Sequence, residues 1–262
     1  MDEQKYNLEQ SLAELDKLLV SSAKETDKTA CEALAEKART IYEQYPESED
    51  IALRYAMTLF YLSTKQTELK ELETTAEKLK VVQQQFYDAH DIALLYAMIL
   101  VNLSNNQTEL KEREATVEKL ENLQQQFPES HDIALWYSRI LVNLSSIQTE
   151  LKEIETTAEK LENLQQKFPE SHDIAEAFAR ILFNLSIKQT ELKEIEATAE
   201  KLENLQQKLQ ESHNIALQYA RILVNLSAEK TELKEIEATA GKLEELQQKF
   251  PESHDIALQY AR

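Results

Sequence analysis

Apolar residues in this chain recur at helical spacing, in two separate runs per 41-residue stretch. From His131, Ile133, Tyr137, Ile140, Leu141 and Leu144 share one face of a helix, here labelled A. After Ser145–Thr149 a second run, Leu151, Ile154, Ala158, Leu161, Leu164 and Phe168, steps by three and four and predicts a helix B. Ser171 is placed to cap the next helix A and Thr149 to cap helix B, while Pro169 halts helix B.

The double pattern repeats. Glu49, His90, His131, His172, His213 and His254 stand 41 residues apart, and Pro46, Pro128, Pro169 and Pro251 share one site with Tyr87 and Gln210. Five full units follow at 49–89, 90–130, 131–171, 172–212 and 213–253, with a nine-residue stub at 254–262. Residues 1–48 read as an atypical first unit. Cys31, Ala35, Ala38, Ile41 and Tyr45 align with the later helix B stripes, whereas Leu8, Leu12, Leu15 and Leu19 run about one residue out of register, as a capping repeat should. Neither amphipathic helix can bury its stripe alone, so each pair must stack on the next. The expected fold is an all-α, right-handed α-solenoid of stacked antiparallel helix pairs.

Composition reinforces this. One glycine and four prolines in 262 residues leave few breakers, and strands are not expected. A formal charge of -19 argues against nucleic acid and anionic membrane surfaces. The opening MDEQKYNLEQ lacks a signal-peptide pattern and no apolar window reaches the ~18 residues of a spanning helix. The single cysteine, Cys31, fits a reducing compartment, so a cytoplasmic location is expected. The Asn-Leu-Ser triplets at Asn102, Asn143, Asn184 and Asn225 match a glycosylation signal only by chance on that reading.

Aligned on the proline, the unit resembles the tetratricopeptide repeat. A small residue stands mid-helix A at Ala56, Ala97, Ser138, Ala179, Ala220 and Ala261, preceded by Tyr55, Tyr96, Tyr137, Phe178, Tyr219 and Tyr260. The units are longer than that family's by roughly seven residues, which should extend helix B and the A–B corner. Ala52, Ala93, Ala134, Ala175, Ala216 and Ala257 replace the family's tryptophan. An extended class of this repeat is the better description, and the resemblance implies that the A helices line a concave groove.

No pattern of catalysis, cofactor binding or metal ligation emerges. The histidines recur once per unit, on the order of 10 Å apart by helix packing, and do not converge as a metal site requires. Runs such as TELKEIETTAEKLE carry carboxylates interleaved with lysines, a solvated ion-paired face. Gly241 is the only glycine, so there is no phosphate loop, and Cys31 lies on an apolar stripe. Arg113 occupies a stripe position held elsewhere by Leu72, Ile154, Ile195 and Ile236, and snorkelling at a helix edge is its expected accommodation.

What remains is the polar face of helix A. Asp132, Trp136, Arg139 and Asn143 cluster within about 60° on a helical wheel, opposite the apolar stripe. Stacking turns each position into a ladder. One holds Met57, Met98, Arg139, Arg180, Arg221 and Arg262; the next holds Tyr61, Asn102, Asn143, Asn184 and Asn225. Phe60, Val101, Val142, Phe183 and Val224 flank them. Trp136, the only tryptophan, corresponds to Arg54, Leu95, Ala177, Gln218 and Gln259. Arginine forks carboxylates and asparagine can bond a peptide backbone, so the groove suits an extended, partly acidic peptide or a partner domain anchored at Trp136. Alternatively, the arginines pair within the chain and the solenoid is a spacer or self-stacking element, associating through its open C-terminal end.

Overall fold

A computed structural model describes residues 2–261, which form thirteen helices and, among the described residues, no strand. They are α1 (Asp2–Lys24), α2 (Lys28–Gln44), α3 (Glu49–Ser63), α4 (Leu69–Gln85), α5 (His90–Asn106), α6 (Leu110–Gln126), α7 (His131–Ser145), α8 (Leu151–Lys167), α9 (His172–Ser186), α10 (Leu192–Lys208), α11 (His213–Glu229), α12 (Leu233–Lys249) and α13 (His254–Tyr260). From α3 onward the odd-numbered helices are A and the even-numbered are B. Among the described residues, no helix is long and apolar enough to cross a membrane.

The A helices start as their sequence predicts. Ser48, Ser171, Ser212 and Ser253 each accept a hydrogen bond from the backbone N–H three residues on, at 3.4, 3.5, 3.3 and 3.2 Å. Each satisfies a donor that the first helical turn leaves open, worth about 1 kcal/mol. The B helices differ from expectation. Glu150, not Thr149, is the N-cap of α8, and neither it nor Glu68, Glu109, Glu191 or Glu232 makes a side-chain cap bond.

The corner is instead held from within. Thr75, Thr157 and Thr198 donate to the side-chain oxygens of Gln66, Gln148 and Gln189 at 2.9, 3.0 and 2.9 Å. These buried bonds tie the A–B connection to the second turn of helix B. Arg113 breaks the series. It is buried at 8% exposure, and its Nη2 donates to the Gln107 carbonyl, so the side chain turns inward to the corner backbone and does not snorkel. Thr116 turns to the Glu112 carbonyl at 3.1 Å. Burial lowers the Arg113 pKa from its ordinary value.

The chain divides into two compact units, Met1–Tyr137 and Ser138–Arg262. In the first, α2 packs on α3 and α4 on α5; in the second, α8 packs on α9, α10 on α11 and α12 on α13. Consecutive A helices also pack directly on each other, α3 on α5 and α9 on α11, with α1 on α3. Alanines four apart permit that approach: Ala52 and Ala56, Ala93 and Ala97, Ala175 and Ala179, Ala216 and Ala220 are all fully buried. Within each unit, among the described residues, no B helix packs its backbone against another B helix. Long side chains span the gap, including Lys28 to Glu71, Lys201 to Glu162 and Lys242 to Glu203, each at 2.7 Å. Each unit is therefore a solenoid stack with a closely spaced A row and a bridged B row.

Burial of the two stripes supplies the stability. Ile133, Ile140 and Leu141 of helix A and Ile154 and Leu161 of helix B are fully buried, each contributing about 1.5–3 kcal/mol. Tyr55, Tyr96, Tyr137, Phe178 and Tyr219 lie at 3–5% exposure. In the N-terminal pair Leu15, Cys31, Ala35, Ala38 and Ile41 are buried. The short α13 rests on α11 and α12.

Candidate functional site

In the first unit the A row presents apolar side chains. On α3, Leu53, Met57, Phe60 and Tyr61 are half-buried; on α5, Leu94, Leu95 and Met98 are half-buried; Leu135 and Trp136 hold the same positions at the start of α7 and are half-buried too. The Phe60 and Tyr61 rings meet at 5.6 Å, tilted by 52°. Acidic residues mark the N-terminal ends of these helices: the side chains of Asp50, Asp91 and Asp132 are 78%, 74% and 64% exposed.

In the second unit the same row is polar. Arg139 and Arg180 are exposed, while Asn143, Asn184, Arg221 and Asn225 are half-buried beside Val142, Phe183 and Val224. The Arg221 guanidinium lies over the Phe183 ring at 5.4 Å and donates to Gln218 Oε1 at 3.3 Å. Phe183 thus holds Arg221 in place, a cation–π contact of about 0.5–1 kcal/mol. Arg262, the last member of that ladder, lies outside the described residues.

Close A–A packing changes what the ladders are. The stripe does not stand clear opposite the core; it borders the seam between neighbouring A helices. Ala177, Gln218 and Gln259, at the Trp136 position, are each 7% exposed. Asn102 Nδ2 donates to Ser63 Oγ at 3.1 Å and Asn184 Nδ2 to Ser145 Oγ at 2.9 Å, so these amides stitch one A helix to the next. Arg54 Nε donates to Asp16 Oδ1 at 2.7 Å and its Nη1 to the Asp50 carbonyl at 2.9 Å. The predicted contact residues Arg54, Asn102, Asn184 and Arg221 are among those with internal partners that a ligand would have to share.

The histidines serve the repeat junctions. His90 and His213 bond Ser130 Oγ and Ser253 Oγ at 2.7 and 2.6 Å, and each stands edge-on to a phenylalanine, Phe127 or Phe250. Among the described residues no three His, Cys, Asp or Glu side chains are grouped to hold a metal ion. Cys31 is buried, and burial raises its thiol pKa from the ordinary value, which disfavours a reactive thiolate.

Clefts also open on the B side, where sequence reasoning placed nothing. A 530 Å³ cleft between α2 and α4 has Tyr55, Leu59 and Leu62 as its floor and Glu32, Glu36, Glu71 and Lys78 at its rim. A 380 Å³ cleft between α8 and α10 uses the equivalent residues, Leu182 and Leu185 below and Glu155, Glu159, Glu194 and Lys201 above. The shared part of the lining follows from bridged, unpacked B helices and could have been found by writing the repeats in register.

These features define the class as an all-α solenoid of helix pairs with a variable A-helix face. Neither a protein-family model nor a curated protein matches the chain.

Proposed function

We propose that the chain is a non-catalytic protein-interaction module of an extended tetratricopeptide-like class, using its A-helix face to hold a peptide or partner domain, in the cytoplasm. One observation carries the reading. The fold accepts charged side chains at the positions where the first unit shows apolar ones: Arg139 and Arg180 stand where α3 and α5 carry Met57 and Met98, and Glu176 stands where they carry Leu53 and Leu94. Apolar exposure along α3, α5 and the start of α7 is not a folding requirement, and such patches mark interaction sites. In the second unit the exposed Arg180 offers a fork to carboxylates of a partly acidic segment.

The test is site-directed photo-cross-linking in source lysate from position 98 on the A row, position 180 on the A row, and position 159 on the B row. A partner captured in saturable fashion from 98 or 180, and not from 159, is expected. Equal capture from all three would contradict the reading.

A second reading, a self-stacking spacer, draws on the last pair. Leu233 is 70% exposed, and Leu258 and Tyr260 are each 46% exposed. Sedimentation over a wide concentration range separates it: self-stacking requires association that Leu233→Gln abolishes.

A further inference from the structure

We infer that the A-helix face of the first unit receives an amphipathic helix with a bulky apolar stripe and a lysine- or arginine-rich flank. This rests on the interaction reading above and adds the partner's chemistry. The floor is unbranched and adaptable, with Met57, Met98, Leu94 and Leu95 half-buried and Trp136 beyond them; thioethers and leucines repack around varied apolar side chains.

Charge selects the flank. Glu49, Asp50, Asp91 and Asp132 sit at one end of the helices, and Arg54 is the only lysine or arginine in 49–63, 90–106 and 131–137. Arg54 is shared between Asp16 at 2.7 Å and Asp50 at 3.8 Å, and with no second lysine or arginine on these helices the rim keeps an excess of carboxylates along an apolar strip. An acidic segment would meet repulsion there.

Spacing selects a helix. Neighbouring A helices in contact lie about 8–10 Å apart. Seven residues of an α-helix rise about 10.5 Å, so a partner helix lying across the row would set one apolar anchor on each A helix at heptad spacing. Three A helices then take about 15 residues, with the basic side chains along the aspartate edge.

The probe is a synthetic helix of about 16 residues with a leucine stripe and lysine flanks, compared with its glutamate-flanked counterpart and a scrambled lysine peptide. Trp136 is the only tryptophan in the chain and reports binding by its emission. Saturable change with the leucine–lysine helix is expected, at least about ten-fold tighter than with either control.

Met98→Glu separates docking from bulk attraction to a protein of charge -19. It removes an apolar contact while adding a negative charge, so docking predicts weakening of about ten-fold whereas simple attraction predicts tightening. Position 98 tolerates charge, as Arg139 and Arg180 show. The neutral Leu95→Gln, which copies Gln218, should weaken binding as well.

No emission change, tightening by Met98→Glu, or equal binding of the glutamate peptide would overturn the inference. A natural partner cross-linking from position 98 while the leucine–lysine helix fails would overturn this inference alone and leave the interaction reading standing.

Discussion

Glu176 and Asn214 are matched exceptions in the repeat. Glu176 Oε2 accepts from Asn214 Nδ2 at 2.8 Å, and its Oε1 accepts from Ser212 Oγ at 2.9 Å. The equivalent pairs 38 residues apart are all leucine with aspartate: Leu53 with Asp91, Leu94 with Asp132, Leu135 with Asp173 and Leu217 with Asp255. An aspartate at 214 would set two carboxylates at hydrogen-bonding distance across the α9–α11 seam. Substitutions on the A row therefore answer to neighbouring repeats as well as to any ligand.

Asn214→Asp should destabilise the second unit by about 1–2 kcal/mol, through lost hydrogen bonding and like-charge repulsion. Adding Glu176→Leu should recover most of that loss by recreating the leucine–aspartate pair of other copies. Urea denaturation of the four members of the cycle measures it, and additive effects would show that the two residues are not coupled.

Arg113→Ile should stabilise the first unit by about 1 kcal/mol. It removes a buried cation whose burial lowers its pKa, and it restores the apolar stripe residue beside which Gln66 Oε1 accepts from Thr75, so that Gln107 Oε1, buried without a partner, can accept from Thr116. Hydrogen exchange in α6 should slow. A loss of stability would mean that the inward-turned guanidinium is a net support of its corner.

Alkaline pH should unfold the protein through its buried tyrosines. Burial raises the Tyr55 pKa to about 12 and raises those of Tyr96, Tyr137 and Tyr219 further. Their unfolded value is about 10. The unfolded chain therefore binds fewer protons above that pH, and the stability, complete below pH about 10, falls as pH rises through about 12. Tyrosinate absorbance from Tyr55, Tyr96, Tyr137 and Tyr219 should rise only as the protein unfolds. A single transition near the free value would contradict the packing described.

Periodicity made much of this legible. The Ser171 cap, the fully buried Ile133, Ile140 and Leu161, and the pairing of helices all follow from the spacing of apolar residues. Corners were less accessible, because Gln148 and Thr157 bond across nine residues by side chains that no periodic pattern marks. The A row was half legible. Its ladders are equivalent positions of successive copies, but exposure was overestimated: alanine pairs draw the A helices together, and Asn102 meets Ser63 and Arg54 meets Asp16. The Glu176–Asn214 pair was visible as two lone departures 38 residues apart, and only contact gives them a common cause.

Trp136→Ala should cost about 1–2 kcal/mol, since the side chain is half-buried while Ala177 fills the same place in another repeat. Thermal or urea unfolding checks this. A cost above about 4 kcal/mol would place the indole in the core.

The central claim is that the apolar A row of the first unit is kept for binding and not for folding. Met57→Arg, Leu95→Gln, Met98→Arg and Trp136→Gln together replace it with side chains that other copies carry at those positions, Arg180 and Gln218 among them. Measured side by side on this variant and the wild type, stability should differ by no more than about 2–3 kcal/mol, as for half-buried sites, while capture of the partner cross-linked from position 98 is lost. Unfolding of the variant, or retention of that partner at equal affinity, would contradict the account.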